Sequence, residues 1–454
     1  MLLRLYGVLT TLAQPLLRRK LRRRAVAEPG YAHAVEERFG HYDEASAGTG
    51  WCWIHAVSLG ETRAAGILID ELRRQYPDVP ILLTNGTATG REEGAKWMAP
   101  GDLQVWQPWD APKIVARFLD RFRPRIGVLM ETEVWPELTA ACAERGIPLV
   151  LANARLNEKS AAAAERLTWL ARPAYSSLAA VWAQTEADAH RLVSLGAKVA
   201  GVFGNLKFDA TPDARQLAAA TQLRGQLPRP VVILASSRDG EERQLLEVLK
   251  RFGALSPVPP AQEAVQSIAR QVQAVQWMIV PRHPQRFDEV AALIESQGFA
   301  VARRSAAGAP AAAEIWLGDS LGEMALYYGL ADVALLGGSF EPLGGQNLIE
   351  AAACGCPVIL GPSTFNFAEA ATLSLAAGAS LRAENMEQAV TAALKLVDKP
   401  ERREAMAEAA LAFASANRGA AERTAAAILS IAEGAPIATA ATAASEERAE
   451  PRLD

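Results

Sequence analysis

The stretch Ala331–Pro362, ADVALLGGSFEPLGGQNLIEAAACGCPVILGP, limits this chain's choice of fold more than any other. An apolar run ends in Gly337, Gly338 and Ser339, and a second glycine pair, Gly344 and Gly345, leads into a helical segment, 347–354. The run 357–360 then reads as another buried strand. Strand, turn, helix and strand in so few residues build a parallel sheet covered by helices. The turn is almost free of side chains. Glycine lets backbone N–H groups come close to a ligand, and a helix N-terminus favours an anion. The unit therefore reads either as a phosphate seat or as a turn shaped for tight packing.

The same alternation runs through the chain. Strand-like runs at 51–56, 81–84, 103–106, 126–130, 149–152, 181–183 and 199–202 are separated by helical stretches, of which 61–76 is the clearest. A second series follows at 231–235, 277–281, 299–302, 313–317, 333–336 and 358–360. The expected organisation is an N-terminal helix and basic run over 1–30, a first Rossmann-like domain over 31–210 and an interdomain linker over 211–229. A second Rossmann-like domain covers 230–434, and a low-complexity, disordered tail covers 435–454. The segment 255–275 reads as an inserted loop and helix. Two such domains are expected to face each other across a cleft, with ligands beyond the carboxyl ends of the strands.

Composition fits that size. At 454 residues the chain is too long for one core. A net charge of −4 argues against nucleic acid as a partner. Cys52, Cys142, Cys354 and Cys356 sit among apolar neighbours as small buried residues of a reducing compartment. No G-x-G-x-x-G, P-loop or D-x-D motif occurs, and with 5 histidines no metal site is expected.

The N-terminus is different. Leu2–Leu17 is mostly apolar, and Arg18–Arg24 then holds six cations in seven residues. The charges follow the apolar part, unlike a secretory signal, and the apolar part is shorter than the ~20 residues of a spanning helix. It reads as a helix lying on an anionic membrane surface, or as an amphipathic helix docked on the protein. A marginal single-pass anchor is a third reading. In each membrane case the basic run keeps the body cytoplasmic.

Chemistry-bearing residues gather after strands. HAVSLGETRAAG places Ser58, Gly60 and Glu61 at a helix start, where Glu61 is either a cap or a general base. His55 reads as a core histidine. Thr84 opens TNGTATG, a polar wall or a helix cap. Glu131 and Glu133 flank Thr132 in METEVWPEL, placed to orient sugar hydroxyls or to cap a helix. Arg155 and Lys207, from NARLNEKS and FGNLKFD, either meet an anion or stay solvated. In the second half, Ser236, Ser237 and Arg238 of ASSRDGEE and Pro281, Arg282 and His283 of VPRHPQRF end strands. These can touch a phosphate, and a cation there stabilises a leaving phosphate. GDSLGEM adds Asp319, Gly322 and Glu323 at a further helix start.

In order, WIHAVSLGE, TNGTATG, METEVWPEL, NARL, GNLKFD, ASSRDGEE, VPRHPQRF, DSLGEM and LLGGSFEPLGGQNLIEAA resemble the 3-deoxy-D-manno-octulosonic acid (Kdo) transferase family over about residues 15–373. The resemblance implies a GT-B glycosyltransferase on the cytoplasmic side of a Gram-negative inner membrane. It would move Kdo from CMP-Kdo to the 6′-hydroxyl of a tetraacyl lipid A precursor, with inversion and with neither metal nor cofactor. It implies Glu61 as the base and Ser58 and Gly60 on the Kdo carboxylate. On the donor side it implies Arg282 with Gly338 and Ser339 beside the departing nucleotide, and Asn347 and Glu350 near its ribose. Two positions depart from the family pattern: Gln346 stands where histidine is frequent, and Ser237-Arg238 where Thr-His is frequent. The alternatives are another nucleotide-sugar enzyme on this fold, such as an epimerase, and a non-catalytic lipid- or nucleotide-binding scaffold.

Overall fold

A computed structural model describes residues 2–43, 49–253, 263–306 and 313–434. The chain divides into two compact units, Met1–Asp209 with Arg418–Asp454, and Ala210–Asn417.

The first unit is built on seven strands: β1 (Cys52–His55), β2 (Ile81–Asn85), β3 (Leu103–Trp106), β4 (Ile126–Met130), β5 (Leu149–Ala154), β6 (Ala180–Ala183) and β7 (Val199–Val202). Their order is β3-β2-β1-β4-β5-β6-β7 and the pairings are parallel. The central strands are buried on both faces, which is why they read as unbroken apolar runs and not as alternating ones. Trp53, Phe118 and Phe122 fill one face of the sheet, and Ile54, Leu68 and Leu72 fill the other. Gly127 makes room for Trp53: a Cβ there would lie 2.8 Å from the indole Cε3. The chain steps outward from β1 to β3 and then returns to β4 beside β1. The turns after β1 and β4 therefore diverge at the carboxyl edge and leave a crevice, the usual ligand position in such sheets.

The second unit repeats the plan with β8 (Val231–Ser237), β9 (Gln276–Pro281), β10 (Val301–Arg303), β11 (Ile315–Leu317), β12 (Val333–Leu336), β13 (Val358–Leu360) and β14 (Ser380–Arg382). The order is β10-β11-β9-β8-β12-β13-β14, again with parallel pairings. Its reversal point lies between β8 and β12, whose turns are the serine-rich and glycine-rich motifs. The short edge strand β14 carries too few apolar residues to stand out in the sequence.

Two boundaries differ from the sequence-based expectation. The expected linker contains a helix, Ala214–Arg224, that packs on Met324–Leu330 and belongs to the second unit. The last helix, Ala420–Ala432, packs on Leu59–Gln75 in the first unit, through Ala421, Ala425 and Ile428. Asp209 fixes this return by accepting the N–H of Ala421 (2.8 Å). Alternation along the chain cannot show such a crossing back. Part of the expected insertion, 255–262, and the tail 435–454 lie outside the described residues, while Glu263–Ala274 is the expected helix.

The N-terminus forms two helices, Leu2–Leu12 and Gln14–Ala27, joined to the first unit. The Tyr6 hydroxyl donates to buried Asp110 (2.8 Å), and Trp109 Nε1 donates to the Thr10 carbonyl (2.8 Å). Gly7 is buried so closely that a Cβ would meet Pro112 Cγ at 2.7 Å. Among the described residues no helix is long and apolar enough to cross a membrane.

Candidate active site

In the first unit the site grows from the turn after β1. Ser58 caps the helix Leu59–Gln75, its Oγ accepting the Glu61 N–H (3.3 Å) and donating to Glu61 Oε1 (2.8 Å). The Val57 N–H donates to Glu61 Oε2 (2.8 Å). This is a reciprocal cap of the kind a serine and a glutamate three residues on can form. The capping and base readings of Glu61 are thus compatible: the cap holds the carboxylate in place. Burial raises its pKa, the bonds from Ser58 and Val57 oppose the rise, and the Glu131 charge adds to it.

The turn after β4 brings Glu131 and Glu133. Glu133 accepts from Trp135 Nε1 (2.9 Å). Burial and the Glu61 charge push its pKa up to about 7, with Glu131 contributing in the same direction. Glu131 has φ +55, an uncommon backbone for a non-glycine residue, and its carboxylate meets Lys207 Nζ at 3.5 Å. Arg155 donates its backbone N–H to the Glu131 carbonyl (3.2 Å). Glu61, Glu131, Glu133 and Lys207 are therefore gathered in one region, with Ser58 at its edge and the exposed Gly60 next to Glu61. Thr84 is corrected. It is fully buried and its Oγ1 accepts from Trp53 Nε1 (2.9 Å) and bonds His55 Nδ1 (2.7 Å), so it serves the core and lines no pocket. His55 is likewise a core residue, its pKa pushed down to about 3 by burial.

In the second unit the turns after β8 and β12 are tied by a residue the sequence reading passed over. Glu241, fully buried, accepts N–H groups from Arg238 (2.8 Å), Gly338 (2.7 Å) and Phe340 (3.0 Å). Burial raises its pKa and these three donors oppose the rise. An internal carboxylate thus fills the seat that the glycine motif offers an anion. The other glycine N–H groups are also engaged, Gly345 with the Gly338 carbonyl (2.7 Å) and Gly344 with Ser363 Oγ (3.0 Å). Buried Ser339 donates to the Leu336 carbonyl and accepts from Gly361 N–H (2.8 Å). The expectation that Gly338, Gly344 and Gly345 hold N–H groups open for a phosphate is corrected. The packing alternative describes this turn, and a Cβ at Gly337 would sit 2.6 Å from the Ala235 carbonyl.

Ser237 is also inward-facing, donating to Glu242 Oε1 (2.7 Å), an oxygen it shares with Arg286 (2.7 Å). Ser236 has φ +54 at a break in the β8–β9 register, next to the pairing of Ser237 with Pro281. Asn347 caps the helix Leu348–Ala353 by accepting the Ile349 N–H (3.1 Å). Glu350 lies in the first turn of that helix, and its charge and that of Arg282 both bear on buried Tyr328. Arg282 is fastened by its N–H to the Ser237 carbonyl (3.0 Å) and by Nε to Gln346 Oε1 (3.2 Å). Burial, followed by the charges of Arg238, Arg282 and Arg286, lowers the pKa of His283, so the three arginines lie near this imidazole, Arg286 being ion-paired with Glu242 and Glu289. Among the described residues no group of three or more His, Cys, Asp or Glu is arranged to hold a metal ion.

Residues 33–210 match the family described as 3-deoxy-D-manno-octulosonic-acid transferase (kdotransferase), and residues 302–413 match glycosyl transferases group 1. The chain is 46% identical to the 3-deoxy-D-manno-octulosonic acid transferase of Bordetella pertussis over 379 residues, 82% of this chain and 85% of the relative. It is 32% identical to that of Haemophilus influenzae over 425 residues, 92% and 96% of the two chains. A glycosyltransferase structure from Rickettsia africae aligns with a TM-score of 0.54 at 13% identity, covering 85% and 99% of the chains. The UDP-GlcNAc 2-epimerase of Neisseria meningitidis aligns with a TM-score of 0.54 at 15% identity, covering 84% and 99%. Together with the two parallel-sheet units, these structures show a GT-B fold.

Proposed function

The chain belongs to the 3-deoxy-D-manno-octulosonic-acid transferase family, and from that premise we propose that it transfers Kdo from CMP-Kdo to the 6′-hydroxyl of a tetraacyl lipid A precursor in lipopolysaccharide biosynthesis. The reaction is inverting and uses no metal and no cofactor besides the donor sugar. The observation that carries this reading is the Glu61 carboxylate, fixed by Ser58 and Val57 and raised in proton affinity by burial. A base of that kind is anchored for direction and more basic than a solvated carboxylate. Glu61 takes the proton of the acceptor hydroxyl while its oxygen bonds to the Kdo anomeric carbon. The bond from that carbon to the phosphate oxygen breaks in the same displacement, and CMP leaves with the electron pair. Arg282, Arg238 and His283 hold the phosphate charge as it develops, and Asn347 and Glu350 face the nucleoside. Ser58, Gly60, Glu131, Glu133, Arg155 and Lys207 surround the sugar acceptor and the Kdo carboxylate.

The acceptor is a lipid, and the N-terminus supports a place on the cytoplasmic face of the inner membrane. While Tyr6 and Gly7 hold the first helix to the body, Leu5, Leu9, Leu12 and Leu16 are 54–70% exposed. Leu167 and Trp169, on and beside the adjacent helix Thr168–Ser176, are exposed too. Arg19, Lys20, Arg22 and Arg23 are exposed on the second helix, suited to anionic headgroups at about 1 kcal/mol each. Flotation with anionic vesicles is expected for the full chain and is reduced in a Leu5→Ser, Leu9→Ser, Leu12→Ser variant; equal flotation of both removes the membrane reading.

The activity itself is tested by incubating the enzyme with CMP-Kdo and the tetraacyl precursor and weighing the lipid by mass spectrometry. One or more added Kdo units are expected. An unchanged lipid, with folded enzyme in mixed micelles, rejects the assignment.

A further inference from the structure

We propose that Asn153 is a positioning residue for the transfer, acting through Lys207 on Glu131 and thereby on the charge that surrounds Glu61. The proposal rests on the reading of Glu61 as the base.

Asn153 lies near the carboxyl end of β5, beside the Glu131 turn. It is 2% exposed and has φ +51. Its Oδ1 accepts the Leu206 N–H (3.1 Å), and its own carbonyl accepts from Gln184 Nε2 (2.9 Å). Its Nδ2 is buried without a hydrogen-bond partner. A left-handed backbone at a non-glycine residue and an unmatched buried donor are both unfavourable, and such features persist where the surrounding structure forces them. Glu131, on the adjacent strand end, has the same kind of backbone at φ +55, and its N–H donates to the Ala152 carbonyl one residue from Asn153 (3.0 Å).

Asn153 holds the segment that delivers Lys207. The Leu206 N–H is pinned by Asn153, and the next N–H, of Lys207, is pinned by Asn205 Oδ1 (3.0 Å). Two consecutive anchors set where the lysine side chain starts, and its ammonium ends 3.5 Å from Glu131 Oε1. The charged groups around Glu131 are Lys207 from the 206–209 turn, Glu61 from the turn after β1 and Glu133 from its own turn. Tyr175, from the helix Thr168–Ser176, faces Glu133. Lys207 is the cation that an ion pair places against Glu131, whose charge in turn bears on Glu61 and Glu133. When it is displaced, the negative field at Glu61 grows and the base holds its proton to higher pH.

The test compares the pH profile of kcat/KM for wild type, Asn153→Gly and Asn153→Ser. Glycine accepts the backbone conformation without an amide, and serine is too short to reach the Leu206 N–H, so either variant that folds serves. Each is expected to move the acid limb upward by about half a pH unit, with CMP affinity in the second unit unchanged. Lys207→Met should give the same shift, and Asn153→Gly added to Lys207→Met should shift it no further. Additive shifts, or a wild-type acid limb in both Asn153 variants, overturn the proposal, since a purely structural role lowers activity at all pH values alike. Glu61→Gln is run beside them: if it keeps its turnover the base assignment itself is wrong, whereas its inactivity with an unmoved limb in the Asn153 variants rejects only the role of Asn153.

Discussion

The two units share one plan and place different ionisable groups at the same point in it. Beyond β1 and β4 the first unit gathers Glu61, Glu131 and Glu133, with Lys207 against Glu131. Beyond β8 and β9 the second unit gathers Arg238, Arg282, His283 and Arg286. Each unit also buries carboxylates, but differently. Glu241 and Glu242 are satisfied by three backbone N–H groups, Ser237 and Arg286. Burial first, then the charge of Glu61, raises the pKa of Glu133, and burial also raises Glu61 and Glu241, in each case against the hydrogen bonds they accept. What separates them is the partners: Glu241 ties two turns together through three backbone N–H groups, whereas Glu133 accepts from Trp135 Nε1. A carboxylate that ties two turns together should be fully matched, whereas one that must accept a proton is left with affinity for it.

The largest effect expected from this contrast is at Glu61. Glu61→Gln keeps the shape and can still receive the Val57 N–H, but it removes the base. Turnover should fall about a thousandfold, while CMP affinity, measured by calorimetry, stays at the wild-type value. A variant retaining a tenth of normal turnover would place the proton acceptor elsewhere in the cluster. The complementary change is Arg282→Ala in the second unit. Losing one charge-assisted bond to a phosphate should weaken CMP binding by about 10- to 100-fold without moving the pH profile. A shifted profile with intact CMP affinity would mean that Arg282 serves the acceptor instead.

Much of this was readable along the chain, and the losses have physical causes. Apolar runs bounded by helices disclose a buried parallel strand because both faces are covered, and the residues that follow the strands, Glu61, Glu131 and Arg282 among them, can then be placed at one edge of each sheet. What a linear pattern does not contain is the partner of a given N–H. Gly338 looks free to seat a phosphate until Glu241, nearly a hundred positions earlier, is seen to occupy its donor. Thr84 follows the same rule, since a hydroxyl at a strand end looks pocket-facing until Trp53 and His55 claim it. Asn153 was passed over because an asparagine at a strand end resembles any turn residue; only its left-handed backbone and its bond to Leu206 set it apart. The return of Ala420–Ala432 to the first unit is hidden for another reason, since an alanine-rich helix packs equally well on many surfaces.

The smallest expected effect is also the most discriminating, and it concerns Glu133. Its pKa is pushed up to about 7, by burial first and then by Glu61, so near neutral pH it carries a proton part of the time. The two carboxylates are coupled, and protons leave the pair in two steps that belong to both. A base works only when deprotonated, so activity should rise as pH climbs through the raised values and fall off below them. Glu133→Gln keeps an oxygen for Trp135 Nε1 and removes a negative charge from beside Glu61. Proton affinity at Glu61 then falls, and the acid limb of kcat/KM should move downward by a fraction of a pH unit, opposite in sign to the shift expected when Lys207 is displaced. Turnover on the plateau should remain near wild type, because the base is untouched. If the limb instead disappears, the titrating group seen in the wild type is Glu133 itself, and the coupling between Glu61 and Glu133 would have to be reassigned to a single carboxylate.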